Sequence, residues 1–147
     1  MLFKRLPIAA LAALTLACGG DDRPVLRVGP SGTAFQRELI PSTSASPVAT
    51  VPYTTWNRGN ATAFIPACGA RASAVVERLV GGRWESYSSV FCIDIMMETP
   101  IELRAGESRQ DAVAIGDAGH FRIRMPYSAS VGASTGYSAV SRDFDVY

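Results

Sequence analysis

Residues 120–127 alternate strictly: Phe121, Ile123, Met125 and Tyr127 fall to one side, His120, Arg122 and Arg124 to the other. A period of two is the mark of a half-buried β-strand. Residues 101–105 alternate equally well and are followed by turn residues at Gly106-Glu107-Ser108. Residues 111–115 read as a further extended piece, closed by Gly116-Asp117-Ala118-Gly119. Near the C-terminus, Phe144 and Val146 turn inward between Asp143, Asp145 and Tyr147, and Val140 shares their even parity, which would also turn Arg142 inward unless it sits at a bulge. Upstream, residues 48–56 are rich in β-branched and aromatic side chains, and Asn57-Arg58-Gly59-Asn60 turns the chain into residues 61–67. Pro52 cannot donate to a ladder, which predicts an edge position or a bulge. Residues 25–28 form a short first strand, followed by an irregular, proline-punctuated link to Pro47.

Residues 73–80 fit two periods. Ala72, Val75, Val76, Leu79 and Val80 match helical spacing with Gly81 as a stop, but the segment also reads as a strand. The favoured reading is a hairpin: Gly81-Gly82 turns the chain and residues 83–88 return it, with Trp84 packed inward. Short strands separated by turn signals make the fold class all-β, an antiparallel sandwich.

The N-terminus follows another logic. Lys4 and Arg5 precede a 12-residue apolar run, residues 6–17, too short for the roughly 20 residues that span a bilayer. That is the anatomy of a secretory signal, expected to be a cleaved helix outside the fold. Leu14-Thr15-Leu16-Ala17-Cys18, followed by Gly19-Gly20-Asp21-Asp22, resembles the lipobox of bacterial lipoproteins. The resemblance implies that residues 1–17 are removed and that Cys18 is lipidated as the new N-terminus. Residues 18–24 become a flexible tether and residues 25–147 the folded domain. Thr15 and Leu16 depart from the commonest form of the motif, and an ordinary signal with an incidental cysteine is the alternative. Gly19 after the cysteine points to the outer membrane or periplasmic face rather than inner-membrane retention.

Of the 14 basic residues, Lys4 and Arg5 leave with the signal, so 12 arginines face 13 acidic residues, a formal charge of −1. A near-neutral chain without basic clustering is a poor ligand for nucleic acid. Cys68 and Cys92 remain after Cys18, and an oxidising compartment favours their pairing over two buried free thiols. The bridge would close a loop of 24 positions, contributing about 3.5 kcal/mol in the chain-entropy account.

Several elements occur in a definite order: Asn57-Arg58-Gly59, Cys68-Gly69, Glu77-Arg78 with Gly81-Gly82-Arg83-Trp84, Ala105-Gly106-Glu107-Ser108, Gly119-His120-Phe121-Arg122-Ile123 and Ser141-Arg142-Asp143-Phe144-Asp145-Val146. The succession resembles the immunoglobulin-like modules of bacterial envelope lipoproteins and implies that sandwich from about residue 48 onward. Asp117-Ala118-Gly119-His120-Phe121 is similar to the tyrosine corner of such folds, with Phe121 lacking the hydroxyl.

Chemistry-bearing sets are sparse. Gly132-Ala133-Ser134-Thr135-Gly136 has the spacing of a hydrolase elbow, but no His follows it. Met96-Met97 beside Cys92, with Met125 and His120, offers soft copper ligands without the usual spacing. Asp94, Glu98 and Glu102 lack a calcium-loop pattern, and Asn60-Ala61-Thr62 is a chance sequon. His120 reads as a lone surface residue. The expectation is therefore no enzyme, no metal and no cofactor. The chain is expected to be a structural or recognition module on a membrane, with an envelope protein or glycan as partner. The alternative is a carbohydrate- or peptide-binding module, including a proteinase-inhibitor-like loop. Trp84, Tyr87, Tyr127 and Tyr137 are the candidate recognition surface, with the loop at residues 128–136 as another. Trp56 and Tyr147 complete the aromatic set.

Overall fold

The computed structural model describes residues 22–38, 47–89, 99–133 and 136–147, and every regular element among them is a strand. In the first sheet, β1 (Leu26–Pro30) and β10 (Ser108–Ile115) flank β3 (Ala49–Asn57), all antiparallel. The second sheet is built on β11 (Gly119–Tyr127). One side of β11 takes β7 (Val75–Val80), which pairs onward with β8 (Arg83–Ser89). The other side is shared by β12 (Tyr137–Val140) and β13 (Phe144–Val146), and β2 (Ala34–Phe35) joins β13 in parallel. Two ribbons, β4 (Ala63–Ile65) with β9 (Ile101–Leu103) and β5 (Ala67–Cys68) with β6 (Arg71–Ala72), complete the strands. Among the longer strands, the first, second and fifth in chain order make one sheet, and the third, fourth, sixth and last make the other. That is the immunoglobulin-like arrangement.

The alternation of residues 120–127 explains why the sheets meet. Phe121, Ile123 and Met125 are fully buried, and they close on Val51 and Ile115 of the first sheet, Val76 of β7 and Phe144 of β13. Gly81 and Gly82 take φ of 56° and 80°, the left-handed pair that a tight hairpin turn requires. The hairpin reading of residues 73–88 therefore holds. Cys18 and the signal, Cys92, Asp94, Met96, Met97, Glu98, Ser134 and Thr135 lie outside the described residues.

Four expectations are corrected. Pro52 sits in the central strand of its sheet, in regular register opposite Ala112. It is tolerated because β1 ends at Pro30; just beyond that point the Ser31 N–H donates to the Pro52 carbonyl at 2.9 Å, a bond that does not use the N–H that proline lacks. Val140 does not face the core. Ala139 does: the Ser141 N–H still donates to the Ile123 carbonyl at 2.9 Å, but four steps from Val140 to Phe144 face three from Arg124 to Phe121, and the extra residue reverses the parity before β13. Trp84 is not packed inward but lies on the outer face of the second sheet, beside Arg122. The corner hydroxyl that Phe121 lacks comes from another strand. One extra residue in β8, Tyr87, forms a bulge opposite Val76 and Glu77 and swings its ring against Phe121, 5.1 Å between centroids. Its hydroxyl then accepts the Asp117 N–H at 3.1 Å.

The chain enters the sandwich beneath a buried amide. Asn57 is fully buried; its Nδ2 donates to the carbonyls of Ala61 and Leu103, both at 2.8 Å. Its Oδ1 accepts the Gly59 N–H at 3.0 Å and the Val25 N–H at 3.4 Å. Gly59 passes so close to the entering backbone that a Cβ there would stand 2.3 Å from the Arg23 carbonyl oxygen. Asn57→Ala would leave buried donors and acceptors without partners and is expected to cost about 3 kcal/mol. Urea unfolding of the variant checks this, and an unchanged midpoint would refute the assigned role.

Candidate functional site

The outward side chains of β11 meet those of its neighbours in a continuous row. Arg122 lies opposite Glu77 across the β7 ladder, and His120 lies opposite Asp145 on β13. Residues facing each other across a strand pair share a face, so register alone collects these charges.

At the centre stands Glu77, a carboxylate almost buried on the sheet surface. One oxygen accepts Arg122 Nε at 2.6 Å, the other Arg124 Nε at 2.7 Å. Burial by itself would raise the Glu77 pKa, but the hydrogen bonds from Arg124 and Arg122 outweigh it and hold the carboxyl below its usual value. The Arg122 guanidinium rests 4.4 Å from the Trp84 ring centre, a cation–π contact that fixes its plane. Leu79 faces Trp84 across the hairpin and remains partly exposed.

Towards β13 the row ends in a clasp. His120 Nδ1 contacts Asp145 at 2.7 Å and Nε2 contacts Asp143 at 2.6 Å. Only the imidazolium donates from both nitrogens, so the two carboxylates favour the charged ring. The hydrogen bond to Asp145, then that to Asp143, raise the His120 pKa above its ordinary value. The bond from His120 in turn lowers that of Asp143. The expectation of a lone surface histidine is thus corrected: His120 is exposed but held on both sides.

The four aromatic candidates do not converge. Trp84 lies on this outer face, while Tyr87 points inward onto Phe121. Tyr127 is buried at the opposite end of β11, its ring stacked on that of the more exposed Tyr137 at 5.3 Å. The Tyr127 hydroxyl accepts the Leu26 N–H at 3.5 Å. Trp56 is half-buried and Tyr147 exposed. The two described members of the copper set are apart as well, since Met125 is in the core and His120 on the outer face. Glu77, Arg122, Arg124, Asp143 and Asp145 were not singled out as a group by sequence reasoning. The alternation places four of them outward, but only strand register brings them together.

No protein-family description matches the sequence, and no curated protein does. Among solved structures, the chain is similar to the CARDB domain of the PF1109 protein from Pyrococcus furiosus. A crystal structure of that domain in complex with di-metal ions shows 15% identity over 86% of this chain and 90% of that one, with a TM-score of 0.41. Its solution NMR structure gives 16% identity, 85% and 96% coverage and a TM-score of 0.40. A β-glucosidase from Listeria innocua in complex with glucose is similar at 11% identity over 84% of this chain but 16% of its own length, with a TM-score of 0.37.

The clasp makes stability depend on pH with a definite sign. A raised histidine pKa contributes fully below the ordinary value of 6.5, and the contribution fades as pH rises through the raised one. A lowered aspartate pKa contributes above the ordinary 3.8 and is lost as pH falls through the lowered one. Melting curves should therefore show the largest Tm difference between the natural chain and His120→Gln at about pH 5 to 6, shrinking on both sides. A difference that is flat from pH 4 to 9 would contradict the arrangement.

Proposed function

We propose that this chain is a lipid-anchored, non-catalytic immunoglobulin-like module of the bacterial cell envelope, serving structure or recognition at the membrane surface. Cys18 carries the acyl chains after removal of residues 1–17, and the outer membrane or periplasmic face is the favoured site. Several buried chains, each methylene contributing roughly 0.8 kcal/mol, hold firmly where one holds marginally.

The observation that carries this reading is where the fold takes up the chain. Pro24 is already buried, and the Arg58 N–H donates to the Val25 carbonyl at 2.8 Å. The lipobox-like cysteine thus stands six positions before a fixed point of the sandwich. Six residues reach at most about 20 Å, so a lipid on Cys18 keeps the domain close to the bilayer with its entry end downward. The loop beginning at Ser128 lies at that same end, since Tyr127 meets Leu26 there. The Gly81-Gly82 turn and Asp117 lie at the other end, and the His120 clasp sits near them.

A second reading, a carbohydrate- or peptide-binding module, is favoured by the outer face that carries Trp84 with Arg122. The upright placement presents that face away from lipid, and it ranks above the loop at residues 128–136 as a contact surface.

We also propose a Cys68–Cys92 bridge, which would fasten β5 to the segment beyond β8. Both thiols should resist alkylation until a reductant is added; labelling of the unreduced chain would exclude the bridge. For the anchor, Cys18→Ser is expected to move the protein from the membrane pellet to the soluble fraction. Unchanged fractionation would remove the anchored reading.

A further inference from the structure

We propose that Arg122 and Arg124 on the outer face of β11 form a receptor for a carboxylate-bearing polysaccharide, with Trp84 as the apolar floor beside them. The proposal rests on the recognition reading above and gives it a ligand class.

The charge arrangement asks for a second anion. Two guanidinium groups share one carboxylate, that of Glu77, and each spends its Nε there. An arginine has five N–H donors in a planar fork, so the terminal nitrogens of both remain for a ligand, and both side chains are partly exposed, at 27% and 36%. Glu77 and the Trp84 ring hold Arg122 in place, so little freedom is lost on binding. Asp143, another acid on this face, feels the charge of Arg122 but is engaged by His120. A ligand carboxylate can therefore meet the forks bidentately.

The backbone discriminates between ligand classes. β11 is hydrogen-bonded on both sides, to β7 and to β12 and β13. An extended peptide has no free edge to pair with along β11 itself, and the end strand on the β7 side of the sheet, β8, lies two strands away from the arginines, although main-chain pairing is what gives such peptides their affinity. A sugar ring needs no edge. It needs a flat surface with an aromatic ring, a fork and a hydroxyl, and Trp84, the arginines and the exposed Ser86 (opposite Glu77) supply them.

The test titrates the detergent-solubilised full chain with polygalacturonate and alginate by calorimetry, with pullulan as neutral control and polyglutamate as peptide control. The acidic polysaccharides should bind and weaken with added salt, and Arg124→Ala should lose about tenfold or more in affinity, about 1.4 kcal/mol. Arg124→Lys, which keeps the charge but not the fork, should recover little of it. Should Arg124→Ala melt early, Ser86→Tyr blocks the same face from an exposed position and must abolish binding without lowering Tm. Equal binding of pullulan, stronger binding of polyglutamate, unaltered affinity in both Arg124→Ala and Ser86→Tyr, or silence at millimolar repeat units would each overturn the proposal. Release of Cys18→Ser from membranes is read separately, so a failed titration leaves the anchor reading standing.

Discussion

The pleat of β11 governs everything else in this molecule. Because successive side chains leave a strand on opposite sides, one nine-residue element supplies both the centre of the core and the centre of the charged outer row. Phe121, Ile123 and Met125 need the first sheet to exclude water, and their burial fixes which way His120, Arg122 and Arg124 must point. A slip of one residue would bury three cationic or titratable groups and expose the core. The hydrophobic requirement thus sets the geometry of the polar one, and the outer row comes with it.

Around that strand, polar groups tie down places where apolar packing has little to offer. Asn57 gathers the entering chain, the turn after β3 and the end of β9 onto one side chain. Tyr87 and Arg78 do the equivalent at the far end: the Tyr87 hydroxyl takes the Asp117 N–H, and Arg78 donates to the Ala118 carbonyl at 2.8 Å. Glu77 works between them, where removing either arginine would leave its partners poorly matched. These bonds order loops and strand ends, whereas the buried apolar layer holds the sheets together.

What could be read in the sequence follows from this division. Local alternation identified β11 and the inward Phe144 and Val146, and the Gly81-Gly82 pair identified the hairpin, because each signal lies in a short stretch of the chain. Pro52 was misplaced because its tolerance depends on where a different strand stops, and no property of residues 48–56 records the end of β1. Trp84 was misplaced because its size suggested the core, whereas its neighbours across the sheet give it an outward berth against a guanidinium. The bulge at Tyr87 lets Tyr87 supply the apolar contact from the same strand. His120 shows the limit most plainly. Its own strand announces an outward side chain, but its two aspartates arrive from β13 and the residues before it, through a pairing that no single-strand pattern encodes.

The position of β1 has a mechanical corollary. Its ladder with β3 runs lengthwise from the entry point, with five registered residue pairs from Leu26 to Pro30. Tension drawn through Pro24 acts along that ladder, so its rungs bear the load in shear and yield together instead of unzipping one at a time. The buried Asn57 amide stands at the first rung, where the strain would arrive earliest.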